Sequence, residues 1–581
     1  MAYKQAERAA PVQPGSIRAA FMADATSPAA PQDEYVLKPH EQPLIPGSPA
    51  NPDHPKGRRI AYFAIGIYLG LVAGLTNGLL LANLIVLQGN MNLTPVDTGW
   101  VTVAYNLTNA CMSILLFKVR QHFGIQRFVR ATMITLLIAN FVQLFDAGYQ
   151  VELVSRAISG IAASGLVTLS IFYMMQSLPG PQRMIALVLG IGVVQIGLPL
   201  ARAISPLLVY DGDIGSLFAL QFGLSLVTVG LVNVLPLPQG VTVRAFGVLD
   251  LISFPLLAVG IGLLCSFLVQ GRIIWWPTPW LGALLAPAIV LIGAALLIEH
   301  NRQNPMLQTR WMASGDLLKL ALAGAFIRVV LSEQNFGATG LLTSLGYVND
   351  QLVTFYAITA FAALLGVFFP LIGLNPADLR LSTLISLGII SVAAFADTQT
   401  GLMSRPSDFY LTQAAIAFAS VYFIGPMLME GFLRALTRGP SYIVSFLALF
   451  NLSQTIGGLA GTAALSAFFT IRAKAHLMTL GQGLATDDPA LAQALAYLSS
   501  GLNGSIGDAT LRSAVAGRNV VQEAARQAGV LAYNDVFFVI GFGAAIGFMI
   551  VLVRWLRDRR RGFSPLAADL SLLQQMLAQR K

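Results

Sequence analysis

Between residues 60 and 556 the chain is a near-continuous succession of apolar runs separated mostly by short loops. A helix needs about 20 apolar residues to cross the hydrocarbon of a bilayer, where every backbone N–H and C=O must be satisfied within the segment. The pattern leaves one architecture open, a bundle of membrane-spanning helices. Hydropathy places the runs at 60–86, 98–118, 127–147, 151–176, 184–209, 214–236, 247–269, 279–298, 315–340, 350–374, 381–401, 409–434, 440–470 and 533–556. Composition agrees: 11% of the 581 residues are charged, against about 25% in soluble domains, and the mean hydropathy is +0.69. The expected fold class is an all-α polytopic membrane protein with 14 transmembrane helices.

A net charge of +9 does not point to nucleic acid, because the basic residues cluster between apolar runs. With a cytoplasmic N-terminus, one set of loops holds Lys118, Arg120, Arg127, Arg130, Arg183, Arg244, Arg302, Arg310, Arg380 and Arg438, with a further group from Arg554 to Arg561. The short loops on the other side hold little beyond Arg272 and Arg405. That asymmetry predicts both termini in the cytoplasm. Residues 1–58 are too polar to form a core and are expected to be a disordered cytoplasmic tail, without the apolar stretch of a signal peptide. Residues 559–581 form a second cytoplasmic tail. The segment 471–530 carries alanine and leucine at helical spacing and predicts two amphipathic helices on the outer face, either a mobile cap or a docking surface. Cys111 and Cys265 lie inside apolar runs and are expected to pack as small apolar residues. The histidines show no ligand spacing, and no catalytic triad or phosphate loop is present. Neither a metal site, a cofactor nor an enzyme is expected.

An ionisable side chain inside a span is costly and normally faces a protein or watery interior, so such groups are the functional candidates. Arg156 stands in the fourth run, where it serves either coupling or structure by bonding backbone carbonyls. Arg202 in the fifth run either faces a cavity or snorkels to the outer surface. The ninth run is the richest, with Arg328, Ser332, Glu333, Gln334 and Asn335 within one short stretch. A desolvated glutamate can exchange protons near neutral pH, so Glu333 is the leading proton-coupling candidate; the bland alternative is a salt bridge to an arginine. Asp397 is a further proton candidate, although its place near the outer end of its run predicts exposure. Asp250 and Glu430 are expected only to mark run boundaries. Asn77, Asn106, Asn109, Gln195 and Asn451 are candidates for lining a substrate cavity or for bonding helices together. Arg156, Arg202 and Arg328 against one deep glutamate would make the cavity positive and favour anionic or zwitterionic cargo.

Several stretches resemble the major facilitator superfamily, specifically its fourteen-helix EmrB/QacA-type branch of drug exporters. They are GWVTVAYNLTNA (Gly99–Ala110), SRAISGIAASG (Ser155–Gly165), PQRMIALVLG, FLALFNLSQTIGGLAGTAALSAFFTIRAKAH (Phe446–His476) and AYNDVFFVIGFG. The resemblance implies two six-helix bundles at 59–240 and 301–558, with an inserted helix pair at 241–300. It also implies that Arg156 is the fourth-helix arginine tied to proton coupling. Three departures stand out. The loop FKVRQHFGIQR (Phe117–Arg127) keeps basic residues but lacks the family's Gly-x-x-x-Asp-Arg pattern. Thr76 and Asn77 occupy the place of the branch's first-helix aspartate, and GLPLARAISP keeps Gly197 and Pro199 but sets Arg202 near the usual glycines.

The expected activity is proton-motive-force-driven export of an amphipathic organic compound across a bacterial inner membrane by alternating access. The resemblance adds a periplasmic adaptor and an outer-membrane channel as partners. Proton-coupled import and a non-transporting sensor or scaffold are the alternatives.

Overall fold

The computed structural model describes residues 47–145, 148–179, 183–209, 212–243, 246–303, 305–370, 378–483 and 489–578, together with Glu41 and Pro43. All regular elements among these are helical. The first six passes are α1 (Lys56–Ala82) with its short continuation α2 (Leu84–Asn90), α3 (Pro95–Phe123), α4 (Ile125–Gln143), α5 (Tyr149–Ser177), the pair α6 (Arg183–Gln195) and α7 (Gly197–Leu208), and α8 (Gly215–Val234). Next come α9 (Asp250–Ile274), α10 (Pro279–His300) and the single turn α11 (Thr309–Met312). A broken segment follows as α12 (Gly315–Val330), α13 (Glu333–Phe336) and α14 (Ala338–Ser344). The remainder is α15 (Val353–Phe368), α16 (Arg380–Ala396), α17 (Tyr410–Tyr422), α18 (Ile424–Leu436), α19 (Pro440–Gly483), α20 (Pro489–Gly501), α21 (Ala509–Arg560) and α22 (Ala567–Ala578).

Among the described residues, 13 helices are long and apolar enough to span a membrane. The remaining expected span, 315–340, is interrupted where apolar sequence gives way to Ser332-Glu333-Gln334-Asn335. Side chains such as Ile138, Leu297, Val392 and Val553 stand exposed on the outside of the bundle, as a lipid-facing surface requires.

Local chemistry sets the turns. Thr94 and Asp97 form a reciprocal cap at the start of α3, with Pro95 in the first turn, where its missing N–H costs nothing. Between α3 and α4 a single residue reverses the chain, and Gly124 takes φ +82, a conformation open to glycine.

Helices α1, α3 and α4 pack on α5, and α8 packs on α4, whereas α12, α18 and α21 pack on α19 and α15 and α16 pack on α17. Helices α9 and α10 pack on each other, and α9 also touches α3 and α19. The base of this pair is tied down by buried charge: Asp250 accepts from Lys118 at 2.7 Å and from Arg302 at 2.5 Å, and Arg302 also reaches Glu299 at 3.3 Å. Asp250 is thus the centre of a network and not simply a boundary marker. Glu430 is likewise paired, with Arg434 at 2.7 Å.

Two regions differ from the sequence expectation. Among the described residues of the segment 471–530 there is one separate helix, α20, packed on α21, while α19 and α21 run on as helices of 44 and 52 residues. No proline stops α19 at residue 471 or α21 at residue 530, and the alanine-rich sequence carries the helix onward. At about 1.5 Å per residue both exceed a hydrocarbon layer about 30 Å thick. At the other end, residues 1–40 lie outside the described residues, but residues 47–54 are packed rather than free. Gly47 and Ala50 donate N–H groups to Val241 and Gln239 carbonyls at 2.9 and 3.0 Å. Gln176 donates to the Ala50 carbonyl at 2.8 Å and to Asn51 Oδ1 at 3.0 Å. These bonds satisfy backbone groups that composition alone left without partners.

Candidate functional site

The break between α12 and α14 is the best starting point. Gly457 and Gly461 of α19 face Ala325, Val329 and Ser332 so closely that a Cβ at either position would strike α12. The glycines of the GGLAG stretch are therefore contact glycines that bring two membrane helices together. Ser332 donates to the Arg328 carbonyl at 3.1 Å and approaches the Gly458 carbonyl at 3.3 Å. Gly337 ends α13 beside the Glu333 carboxyl, whose space a larger residue would fill.

Glu333 is fully buried and Asp397 is 3% exposed, so the expected exposure of Asp397 does not hold. The α16 helix ends at Ala396, and a 3-10 turn folds Asp397 back beneath the neighbouring helices. Gln413 of α17 joins them: its Nε2 donates to Glu333 Oε1 at 2.9 Å and to Asp397 Oδ2 at 3.1 Å. The Ala338 N–H also reaches Glu333 Oε1, at 3.3 Å. The anticipated salt bridge from Glu333 to an arginine is not found among the described residues. Sequence reasoning misses Gln413; its only signal is the pair Thr412-Gln413 in the otherwise apolar stretch LTQAAIAFA.

A cavity of about 570 Å³ lies between the two helix groups. Its walls bring together Asn77, Asn106, Asn109, Gln195, Arg202, Arg328 and Asn451, all of them sequence candidates. Apolar surface comes from Ile171, Ile191, Leu428, Leu447 and Phe450. Arg202 points inward and does not snorkel, its guanidinium 5.4 Å from the centre of the Tyr356 ring. Arg272, read from sequence as an outer-loop residue, also lines the cavity. No aspartate or glutamate is among the lining residues described. Gln454, also missed, lines it with both amide atoms unpartnered.

A smaller chamber of about 100 Å³ shares Gln195, Leu198, Arg202, Arg328 and Leu331 with the cavity and adds Gln334, Thr339, Tyr356 and Gln413. Gln413 lines this chamber, whereas Glu333 and Asp397 stand behind it. The side chain of Asn335 lies outside the described residues.

Arg156 does not join the cavity arginines. It is 1% exposed, donates to the Thr76 carbonyl at 3.0 Å and Asn77 Oδ1 at 2.9 Å, and lies 4.8 Å from the Tyr105 ring centre. Asn106 donates to the Thr102 carbonyl at 2.9 Å, Asn109 to the Gly160 carbonyl at 3.3 Å and Asn451 to Ser113 at 2.9 Å. These three amides therefore hold helix structure as well as lining the cavity.

Arg472 and His476, one turn apart on α19, both reach Asp535 of α21 at 2.6 Å. They clamp the two long helices where these project beyond the bundle. No cluster of three or more metal-ligating side chains occurs among the described residues.

This helix order and central cavity define a polytopic transporter fold of the major facilitator type. Two solved structures share it. One is a human organic anion transporter, MFSD10 (TETRAN), with TM-score 0.51 and 14% identity, covering 85% of this chain and 100% of that one. The other is a bacterial homologue of the human drug peptide transporters PepT1 and PepT2, with TM-score 0.50 and 13% identity, covering 86% of this chain and 99% of that one.

Among curated proteins the chain is similar to the major facilitator superfamily multidrug transporter mfsC of Aspergillus fumigatus, 25% identical over 288 residues. The match takes in 48% of this chain and 55% of that protein, so the chain spans about half the length of this curated relative. No family model matches the chain.

Proposed function

We propose that this chain is a major facilitator superfamily member of the EmrB/QacA-type branch, exporting amphipathic anionic or zwitterionic organic compounds under the drive of the proton motive force. The observation that carries this reading is the cavity wall, which presents Arg202, Arg272 and Arg328 with no carboxylate among its described lining residues. Unneutralised cations in a low-dielectric cleft raise the local concentration of anions and repel cations. The apolar walls suit the body of an amphipathic molecule.

Alternating access follows in this reading from the two helix groups, taken as bundles at 59–240 and 301–558 with the pair 241–300 between them. At the end of the bundle where α1 begins and α21 finishes, α6 meets α18 and α3 meets α19, while toward the other end α7 meets α15. The cavity runs the other way, past Leu84 and Arg272. With the basic flanks in the cytoplasm, the cavity extends in this reading toward the outside of a bacterial inner membrane, beside the contact of α7 on α15. The projecting ends of α19 and α21, with α20, would then meet a periplasmic adaptor leading to an outer-membrane channel. Glu333 and Asp397 are the proton-binding groups, and Arg156 holds the helix packing beside the cavity.

The test is transport by purified protein in liposomes under an imposed pH gradient, using matched amphipathic anions, zwitterions and cations. Export of the anion or zwitterion that collapses with the gradient is the expected result. A preference for the cation, or flux indifferent to the gradient, overturns the reading. Gradient-driven movement in the opposite direction makes the protein an importer.

A further inference from the structure

We propose that Glu333 and Asp397 share a single proton, and that Gln413 is the positioning residue linking that proton to occupancy of the arginine chamber. The link rests on the transport reading above, which makes the chamber the seat of the anionic group. The shared proton does not.

A primary amide nitrogen has two hydrogens, and Gln413 directs both at carboxyl oxygens, Glu333 Oε1 and Asp397 Oδ2. No ion pair reaches either carboxyl among the described residues. Thr412 and Gln413 of α17 reach Asp397, Gln413 and the Ala338 N–H reach Glu333, Arg328 of α12 lines the same chamber as Gln413, and Tyr533 of α21 stands beside Gly340. From α19 the turn carrying Glu333 meets the Gly458 carbonyl at Ser332 and the uncharged ring of Phe469 at Phe336. Two negative charges gathered on one neutral amide in a dry site repel each other, so one is held as the acid. Glu333 Oε2 is buried with no partner among the described residues. A proton there leaves Oε1 free to accept from Gln413.

The same amide lines the chamber that holds Arg202 and Arg328. An anion on these arginines that also recruits Gln413 must take an N–H from Glu333 or Asp397. That carboxyl then loses its fixed donor, and the proton becomes exchangeable. Occupancy and protonation are thereby coupled through one side chain.

Dicyclohexylcarbodiimide modifies protonated carboxyls in apolar surroundings, so its adducts, located by peptide mass spectrometry across a pH series, count protonated groups without any transport. We expect at most one adduct per molecule at neutral pH, divided between Glu333 and Asp397. The labelling midpoint should move by about one pH unit, tenfold in ionisation, in Asp397→Asn and in Gln413→Met. Octanoate, as the probe anion, should move the midpoint of the wild type and leave that of Gln413→Met in place. Two adducts per molecule at neutral pH, or midpoints in Asp397→Asn and wild type that superimpose, overturn the shared proton. An octanoate shift that persists in Gln413→Met overturns the link, as does its absence in the wild type. Asp397→Asn preserves shape and tests the pair even should Gln413→Met fold poorly. Midpoint shifts alongside failed anion transport would sink only the transport reading, whereas gradient-driven transport with immobile midpoints would sink only the shared proton.

Discussion

The Oδ1 atom of Asn77 accepts a hydrogen bond from Arg156 at 2.9 Å while the same side chain lines the cavity. A buried cation on one helix thus orients a cavity amide on another, at the position where the resemblance would place an aspartate. The second nitrogen of Arg156 holds the Thr76 carbonyl, and the planar guanidinium serves both acceptors above Tyr105. A lysine has a single nitrogen and lacks that planar fork. Arg156→Lys should therefore cost about 1.5–3 kcal/mol, the range for a hydrogen bond to a charged group. Asn77→Asp, which turns the bond into an ion pair, should not lower stability. Thermal unfolding in detergent measures both, and equal melting of Arg156→Lys and wild type would refute the account.

Gly74 of α1 and Gly197 at the start of α7 touch backbone to backbone, so that a Cβ on either would overlap the other. Their contact coincides with the break between α6 and α7, where Ile196 bonds three residues back to Val193. Backbone cannot yield as a flexible side chain does. Gly74→Ala and Gly197→Ala should each destabilise by roughly 1–3 kcal/mol, the usual cost of overpacking. Because both push on one contact, the double variant should fall short of the sum. Melting temperatures of the three variants decide this, and full additivity would mean that the two glycines act separately.

How much was legible in the sequence follows from what each feature needs. The spans were visible because bilayer crossing is a local property of about 20 residues. Arg202, Arg328 and Glu333 stood out because a charge in an apolar run is locally anomalous. The partnership of Glu333 with Asp397 was not legible, since it depends on Gln413 from a third helix and on a 3-10 turn that folds Asp397 inward. Arg272 lies just past the apolar run 247–269 and reads as a loop residue, yet α9 continues to Ile274 and the cavity reaches that far. Residues 47–54 looked like tail because their burial rests on backbone bonds to residues 239–241, which composition does not encode.

His54 offers a pH test outside the membrane segments. Burial holds its imidazole below the usual histidine range; the bond to Gln176 opposes this, Arg58 and Arg59 reinforce it, and Asp53 opposes it. Its folded-state value is depressed, so the packed segment binds fewer protons than the released one. The packing it favours is present above the ordinary histidine value of about 6.5 and weakens as pH falls below it. The protection factors of the Gly47 and Ala50 amides, corrected for the intrinsic pH dependence of exchange, should fall on acidification through that value, and His54→Gln should flatten the dependence. An equal fall in the variant would assign the effect to another group.

Arg202, Arg328 and Arg272 should differ in kind as well as degree. The first two line both the small chamber and the main cavity, where solvent screening is weak. Arg272 lines only the larger cavity and is exposed. Replacing a half-buried, directional cation in the bundle interior should remove about 1.5–3 kcal/mol of binding to an anionic group, roughly 10- to 150-fold in affinity, seen as faster release. An exposed charge at the entrance acts mainly on encounter. Arg272→Gln should therefore slow association at low salt and converge on the wild type at high salt, where screening shortens its reach. Stopped-flow binding of an amphipathic carboxylate at two ionic strengths separates the cases. Salt-dependent association lost equally in all three variants would leave a diffuse positive field in place of a distinct anion seat between Arg202 and Arg328.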